Sequence, residues 1–443
     1  MSKHFRPWKI DETQLLPPSV QDYVPANHLS RLIVELARES LDLSAIAGSY
    51  TSGLGQPPFH PGLMTALLLN GYASGIYSSR RIAKAAEERA DFMMIVAGDP
   101  PDFRTISEFR KRHLTALAGL FVQVLRLAEK AGLVKLGHVA LDGTKIKANA
   151  SKHKAMSYER MKKRKAELQA EVDRWLAAAD AADAEEDELH GTKRGDEMPG
   201  WVADKSKRLA KIREAKAALE AEAKAVAQEE ARRRAEAEEQ RKAEGRRKNG
   251  KTPAPPSGEP DPKAQRNFTD PESRVLHTKD GYIQGYNAQA AVDGEAQIIV
   301  AHGLTPSMSD HGQLVPLLDG IEANLDRKPR EASADAGYLS EANLSELAER
   351  GINAYIATGR AKRPADPKRK IGGPLTQAMR KKLKRAGWRS RYRLRKQIVE
   401  PVFGQIKQAR GFRQFLLRGV EAVRAEWAML CTAHNIVKLA RAT

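Results

Sequence analysis

Apolar residues recur at helical spacing through the first third of the chain. LSRLIVELARESLDL, HPGLMTALLLNGYASGI, SSRRIAKAAEERADFMMIVAG and TISEFRKRHLTALAGLFVQVLRLAEKAGL each place them three or four positions apart, which predicts amphipathic helices throughout residues 1–135. Thr105 followed by Glu108 predicts a capping box at the start of the last one. Arg80, Arg81 and Lys84 fall on one helical turn, a set that suits phosphate as well as it suits a solvated face. The pattern changes at LGHVALDGTKIKAN. Val139 and Leu141 alternate with smaller residues, and Asp142-Gly143 predicts a turn joining two strands.

Residues 151–250 repeat apolar positions in steps of four and three. Leu168, Val172, Trp175, Ala179, Ala182 and Leu189 form one seam, and Val202, Leu209, Ile212, Leu219, Ala223 and Val226 form another after the break GTKRGDEMPG. Two such seams predict an inserted antiparallel helical hairpin. Folding it about residues 195–196 sets Leu189 against Val202, Ala182 against Leu209 and Trp175 against Lys216. The segment carries 25 basic and 22 acidic residues and is close to neutral. A Pro-rich linker follows at 251–272.

From residue 273 strands and helices alternate. GYIQGYNAQAAV and AQIIVAHGLT flank the turn Asp293-Gly294 and read as a hairpin. Leu314, Leu317, Leu318, Ile321 and Leu325 share a helical face, with Asp310 expected to cap that helix. EASADAGY and NAYIAT read as strands on either side of a helix capped by Ser340. The expected fold class is α/β: a mixed sheet flanked by helices. It divides into a helical domain at 1–135, a first sheet segment at 136–150, the insertion at 151–250, the linker, and a second sheet segment at 273–443 ending in a basic helical region.

The single cysteine, Cys431, excludes an internal disulfide framework and a cysteine-based zinc site, and points to a reducing compartment. MSKHFRPWKIDETQ lacks the apolar core of a signal peptide. No run of 18 apolar residues occurs, so a cytoplasmic protein without a membrane partner is expected. The net charge of +19 is concentrated. Residues 360–443 hold 23 Lys/Arg against 4 Asp/Glu, while the remaining 52 basic and 52 acidic residues balance. A cationic surface of this kind binds polyanions by counterion release, so nucleic acid is the expected partner.

Phosphodiester cleavage beside such a surface calls for hard cations, and a pair ~3.5–4 Å apart stabilises both attacking and leaving oxygens. Mg²⁺ takes oxygen ligands, so distant carboxylates must meet at one point. Asp142 stands at the end of a predicted strand, although an Asp-Gly pair alone is ordinary turn chemistry. Asp335 lies among small residues in SADAGY, where a turn or helix-entry role is the plain alternative. Glu400 is the only acid between Pro367 and Val420, a stretch with 17 Lys/Arg, where a salt-bridge partner is the plain alternative. On a helix, Lys396, Glu400 and Lys407 would share one face, with Ile398, Val402 and Ile406 on another. Pro401 predicts a kink or a helix start at Glu400.

The pieces ALDGTKIKANAS, TDPESR with GYNAQAAVD, SADAGY and YRLRKQIVEPVFGQIKQARGF resemble bacterial insertion-sequence transposases of the Asp-Asp-Glu class, the last piece resembling their Tyr–Arg–Glu–Lys signature. The resemblance implies a ribonuclease-H-like fold in which Asp142, Asp335 and Glu400 coordinate two Mg²⁺ ions, with Mn²⁺ as a substitute. It implies signature roles for Tyr392, Arg395, Glu400 and Lys407. Four residues separate Arg395 from Glu400, where the common signature has three, so either Arg395 or Lys396 fills the arginine's place. Arg393 and Arg410 complete the expected DNA-binding set. The implied partners are the element's terminal inverted repeats and target DNA, bound by a homodimer at the bacterial nucleoid. A nuclease or resolvase without strand transfer, and a non-catalytic domesticated DNA-binding protein, are the alternatives.

Overall fold

The computed structural model describes residues 19–51, 57–190, 200–243, 245, 255–278, 281–359, 372–386 and 391–442. The N-terminal region is helical: α1 (Leu29–Glu35), α2 (Ser44–Ala47), α3 (Pro61–Ala73), α4 (Ser79–Glu88), α5 (Ala90–Val96), α6 (Phe103–Arg112) and α7 (Leu114–Lys130). Two expected continuous helices are broken, at Arg89 and at His113. The expected Thr105–Glu108 box is also replaced. Asp102 caps α6, accepting from Arg104 N at 2.6 Å and Thr105 N at 3.2 Å, and it takes the Thr105 hydroxyl at 2.7 Å. A carboxylate is the better partner for backbone donors at a helix start, where the macrodipole favours negative charge.

The sheet is built around β1 (His138–Lys147). Its neighbours are β5 (Gly281–Asp293), antiparallel with Asp142 opposite Ala290, and β7 (Glu331–Ala334), parallel with Leu141 opposite Ala334. A further strand, β8 (Asn353–Ile356), pairs parallel with β7. The outer side of β5 is shared by β4 (Arg274–Thr278) and β6 (Ile299–Thr305). The order β6–β5–β1–β7–β8, antiparallel and then parallel, is a ribonuclease-H-like mixed sheet. Helices α10 (Leu314–Leu325), α11 (Glu341–Glu349), α12 (Pro374–Ala386), α13 (Leu394–Gly404) and α14 (Val420–Leu439) complete the region. The five residues expected on one face of α10 are the ones it buries.

Asp142-Gly143 makes no turn, because β1 runs straight through it. The glycine has a packing reason instead: a Cβ there would meet Gln289 Nε2 at 2.4 Å and Asp310 Oδ1 at 2.8 Å. Nor does Pro401 start a helix. It lies inside α13, and the Gln397 carbonyl that its ring leaves without a helical donor accepts from Gln297 Nε2 at 2.9 Å. A π-helical turn at Gln405–Ala409 then continues the helix.

The insertion forms two long helices, α8 (Tyr158–His190) and α9 (Gly200–Ala243), above a small pair of strands, β2 (Ala155–Ser157) and β3 (Gln265–Asn267). β3 occupies the end of the expected linker. The side chains of Trp175, Ala182, Leu189 and Val202 lie outside the described residues. Those that are described adopt a different register from the expected one: Lys205 pairs with Glu171, and the Tyr158 hydroxyl donates to Glu220 at 2.6 Å. The register is set at the base, where Tyr158, Met161 and Leu168 bury themselves against Leu209, Ile212, Ala215 and Leu219. Past this cluster Val226, expected in the seam, is 65% exposed instead, because the buried contacts end at Leu219.

One apolar core runs through the rest of the molecule. It joins Ile33, Leu67 and Phe121 of the N-terminal helices to Val139, Val292 and Ile299 of the sheet and Trp427 of α14. Among the described residues no helix is long and apolar enough to cross a membrane.

Candidate active site

Two acids come together where the parallel strands β1 and β7 part. Leu141 and Ala334 are the last positions paired between them, so Asp142, inside β1, and Asp335, the first residue past β7, follow side by side at a strand spacing of about 4.8 Å. Asp142 Oδ1 accepts from Gly143 N at 2.9 Å. Asp335 Oδ1 accepts from Gly337 N at 2.8 Å, capping a short 3₁₀ turn.

The third acid arrives on α13, which packs across β1 and β5 through Ile398, Val402 and Ile406, all buried. Arg395 on this helix is buried and stands between two of the acids. Its Nη1 lies 2.5 Å from Asp142 Oδ2 and its Nη2 lies 3.6 Å from Glu400 Oε1. Lys396 is exposed. The Tyr392 ring stands 6.0 Å from the Arg395 guanidinium, and Arg393 sits at the N-cap of α13. Lys407 lies in the π-helical turn and reaches β1, donating to Thr144 Oγ1 at 3.1 Å and to the Lys145 carbonyl at 3.3 Å.

Arg410, expected on DNA, is placed elsewhere. It donates to His434 Nδ1 at 2.8 Å, and its carbonyl accepts from the Tyr77 hydroxyl at 2.9 Å, so it ties α14 to the N-terminal helices.

A fourth acid enters the cluster that sequence reasoning assigned to helix capping. The Asp310 side chain makes no capping bond. Its Oδ1 accepts from Asn287 Nδ2 and Gln289 Nε2, each at 2.7 Å. A Cβ at Gly337 would lie 2.9 Å from both Asp310 Oδ2 and Asp335 Oδ1, so these two oxygens are no farther apart than twice that distance. The signal available in the sequence was the amide pair Asn287 and Gln289, two apart on one strand and therefore aimed to one face. Gln289 Oε1 in turn takes the buried Tyr338 hydroxyl.

The charges strain against burial. Removal from water pushes the Asp142 carboxyl up to about 6; Arg395 opposes that rise and the neighbouring Asp335 adds to it. Burial alone would lower the Arg395 value, but Asp142, Tyr392 and Asp335 outweigh it and raise it. Three carboxylates are hard oxygen donors, and a guanidinium stands as a cation between two of them. That donor set fits a divalent metal. Among the described residues no three His, Cys, Asp or Glu side chains are grouped closely enough to hold a metal ion as they stand.

A ribonuclease-H-like sheet with one acid inside its central strand and another just past the neighbouring strand defines a class of fold used on nucleic acids. The comparisons narrow it. Residues 253–436 match the family model described as the transposase DDE domain, and residues 18–112 match one described as a transposase domain (DUF772). Both matches are to transposase families, one of them the DDE domain, in agreement with the resemblance read from the sequence. Asp335 and Glu400 fall inside the first match; Asp142 lies between the two. No curated protein matches the chain, and no solved structure does.

Proposed function

We propose that this transposase binds the terminal inverted repeats of its element, cuts at their ends and joins the freed ends to target DNA. The observation that carries the proposal is the meeting of Asp142 and Asp335 where β1 and β7 part, with Arg395 linking Asp142 to Glu400. Asp142, Asp335 and Glu400 would hold Mg²⁺, with Mn²⁺ as a substitute. When bound, the ions supply Lewis-acid polarisation of the scissile phosphate. The chain's own residues orient the substrate. Arg395, fixed between two acids, presents its guanidinium at the point where a phosphate must enter. Lys407, anchored on Thr144, holds positive charge beside the same strand. In the first step water attacks phosphorus in line, a new O–P bond forms, and the bond to the 3′ oxygen breaks to free a 3′-hydroxyl. In the second step that hydroxyl attacks a target phosphorus in line, the new O–P bond replaces the target's bond to its 3′ oxygen, and a target 3′-hydroxyl leaves with the proton. A dimer would bring the two ends together.

The test uses DNA carrying the element's native ends with Mg²⁺. Wild-type protein is expected to nick and join them, and Asp142→Asn, Asp335→Asn and Glu400→Gln are each expected to lose cleavage by at least about 100-fold while binding the ends. Retention of both steps by all three variants would overturn the assignment. Cleavage without joining would make the protein a nuclease, and binding without cleavage a domesticated DNA-binding protein.

A further inference from the structure

Beyond the acids, a groove of about 660 Å³ opens between the far end of β1, the β4–β5 hairpin and the segment after α13. Among the described residues its lining includes Lys145, Lys147, Lys152, Lys407 and Arg413, and no acid. Among the described residues none of Lys145, Lys147, Lys152 and Arg413 is ion-paired with a carboxylate. Lys145 Nζ is instead held by the His277 carbonyl at 2.8 Å, and Arg413 Nη2 by Gln408. Lys145, Lys147, Lys152 and Arg413, collected in one concavity, repel one another. A polyanion relieves that cost.

A second feature separates this groove from a generic basic surface. Tyr282 lines it and is 62% exposed, and its ring is propped edge-on by His277 with centroids 5.0 Å apart. An exposed aromatic beside a row of cations is the arrangement used for unpaired nucleotides: the cations follow the backbone and a base stacks on the ring. Size agrees. A cleft of this volume falls in the range that takes drug-sized molecules, so it admits a nucleotide or two. Position agrees as well. Lys407 bridges the groove to Thr144, two residues from Asp142, and Lys145 lies about 10 Å along the strand from Asp142 at ~3.4 Å per residue. An unpaired strand covers that distance in no more than a few nucleotides.

We infer that this groove holds a single, unpaired DNA strand a few nucleotides from the scissile phosphate, with a base stacked on Tyr282. The inference rests on the function proposed above and specifies the form of its substrate: ends that are locally melted when they reach the acids.

Fluorescence polarisation in EDTA tests it without cleavage, using a labelled oligo-dT and a blunt duplex with the same number of phosphates. Tyr282→Ala is expected to weaken oligo-dT binding on the order of tenfold, whereas Tyr282→Phe, which keeps the ring, binds as wild type. Lys147→Glu with Arg413→Glu is expected to reduce the salt dependence of oligo-dT binding by about 0.7 in log–log slope for each cation removed. Duplex affinity is expected to change by less than about twofold in Tyr282→Ala. Unchanged oligo-dT binding by Tyr282→Ala would overturn the inference, as would an equal loss for duplex and single strand. Because Glu400→Gln is expected to bind oligo-dT normally, a wild-type protein that never cleaves would sink the proposed function and leave the groove standing.

Discussion

Arg395 is the residue on which the site turns. It occupies the space between Asp142 and Glu400 and neutralises them in part, so it competes with any divalent cation drawn to the same oxygens. Removing it leaves Asp142 buried without its strongest partner, and losing one member of such a pair costs about 3 kcal/mol or more. The same change frees the oxygens. Arg395→Ala is therefore expected to melt at a lower temperature than wild type without metal, and to recover more of that loss on Mg²⁺ titration than wild type gains, by mass action on the folded state. Differential scanning fluorimetry at stepped Mg²⁺ concentrations reads both curves; parallel responses would show that the guanidinium and the cation do not share a site. Asp142, Asp335 and Glu400 could be singled out in the sequence because each had an informative context: a strand end, a small-residue stretch, a lone acid in a basic run. Asp310 could not, because its context SDHG is that of a cap, and only the fold brings Asn287 and Gln289 to it.

At the scale of elements, periodicity identified most helices and strands, and local turn chemistry misled where tertiary packing overrode it. Asp142-Gly143 is the clearest case. A tight turn and a crowded strand centre both call for glycine, and the sequence does not distinguish them. Gly143→Ala separates the two. In a turn with a left-handed residue, strain would come from the backbone; here it comes from a Cβ driven against Gln289 Nε2 and Asp310 Oδ1. The variant is expected to lose about 1–3 kcal/mol in urea unfolding, the range for an overpacked interior. Pairing it with Gln289→Ala, which clears the nearest atom, is expected to cost less than the sum of the two single losses, because the contacts are shared. Strict additivity would place the cost elsewhere. The hairpin register was hidden for a related reason. Heptad seams fix which faces meet and leave their offset open, and that offset is set by Tyr158 and Glu220 at the base, far from the loop.

The whole molecule is held together by α14, whose burial no local pattern announced. Its faces pack against α3, α7 and β6, so the N-terminal helices and the sheet share a core through it. Periodicity could show that each helix had an apolar face and could not show that one helix would be covered on nearly all sides. At its centre Glu426 is fully buried, accepting from Leu416 N at 3.0 Å and Leu417 N at 3.0 Å, with Arg110 of α6 and the Tyr72 hydroxyl of α3 nearby. Burial pushes its carboxyl up to about 7, against the two backbone donors and Arg110, which pull it down. A folded-state value above the unfolded one means that the folded protein holds this proton more tightly. The stability it contributes is complete below about pH 4.5 and is lost as pH rises through about 7, a change of about 3 kcal/mol. Glu426→Gln keeps an oxygen for the two amides and cannot ionise. Its stability relative to wild type is therefore expected to rise by about that amount between pH 5 and pH 8. Urea unfolding of both proteins across this range isolates the residue, since every other titrating group is common to the two. A difference independent of pH would mean that Glu426 stays in one protonation state throughout, and that the joint between the N-terminal helices and α14 carries no titrating charge.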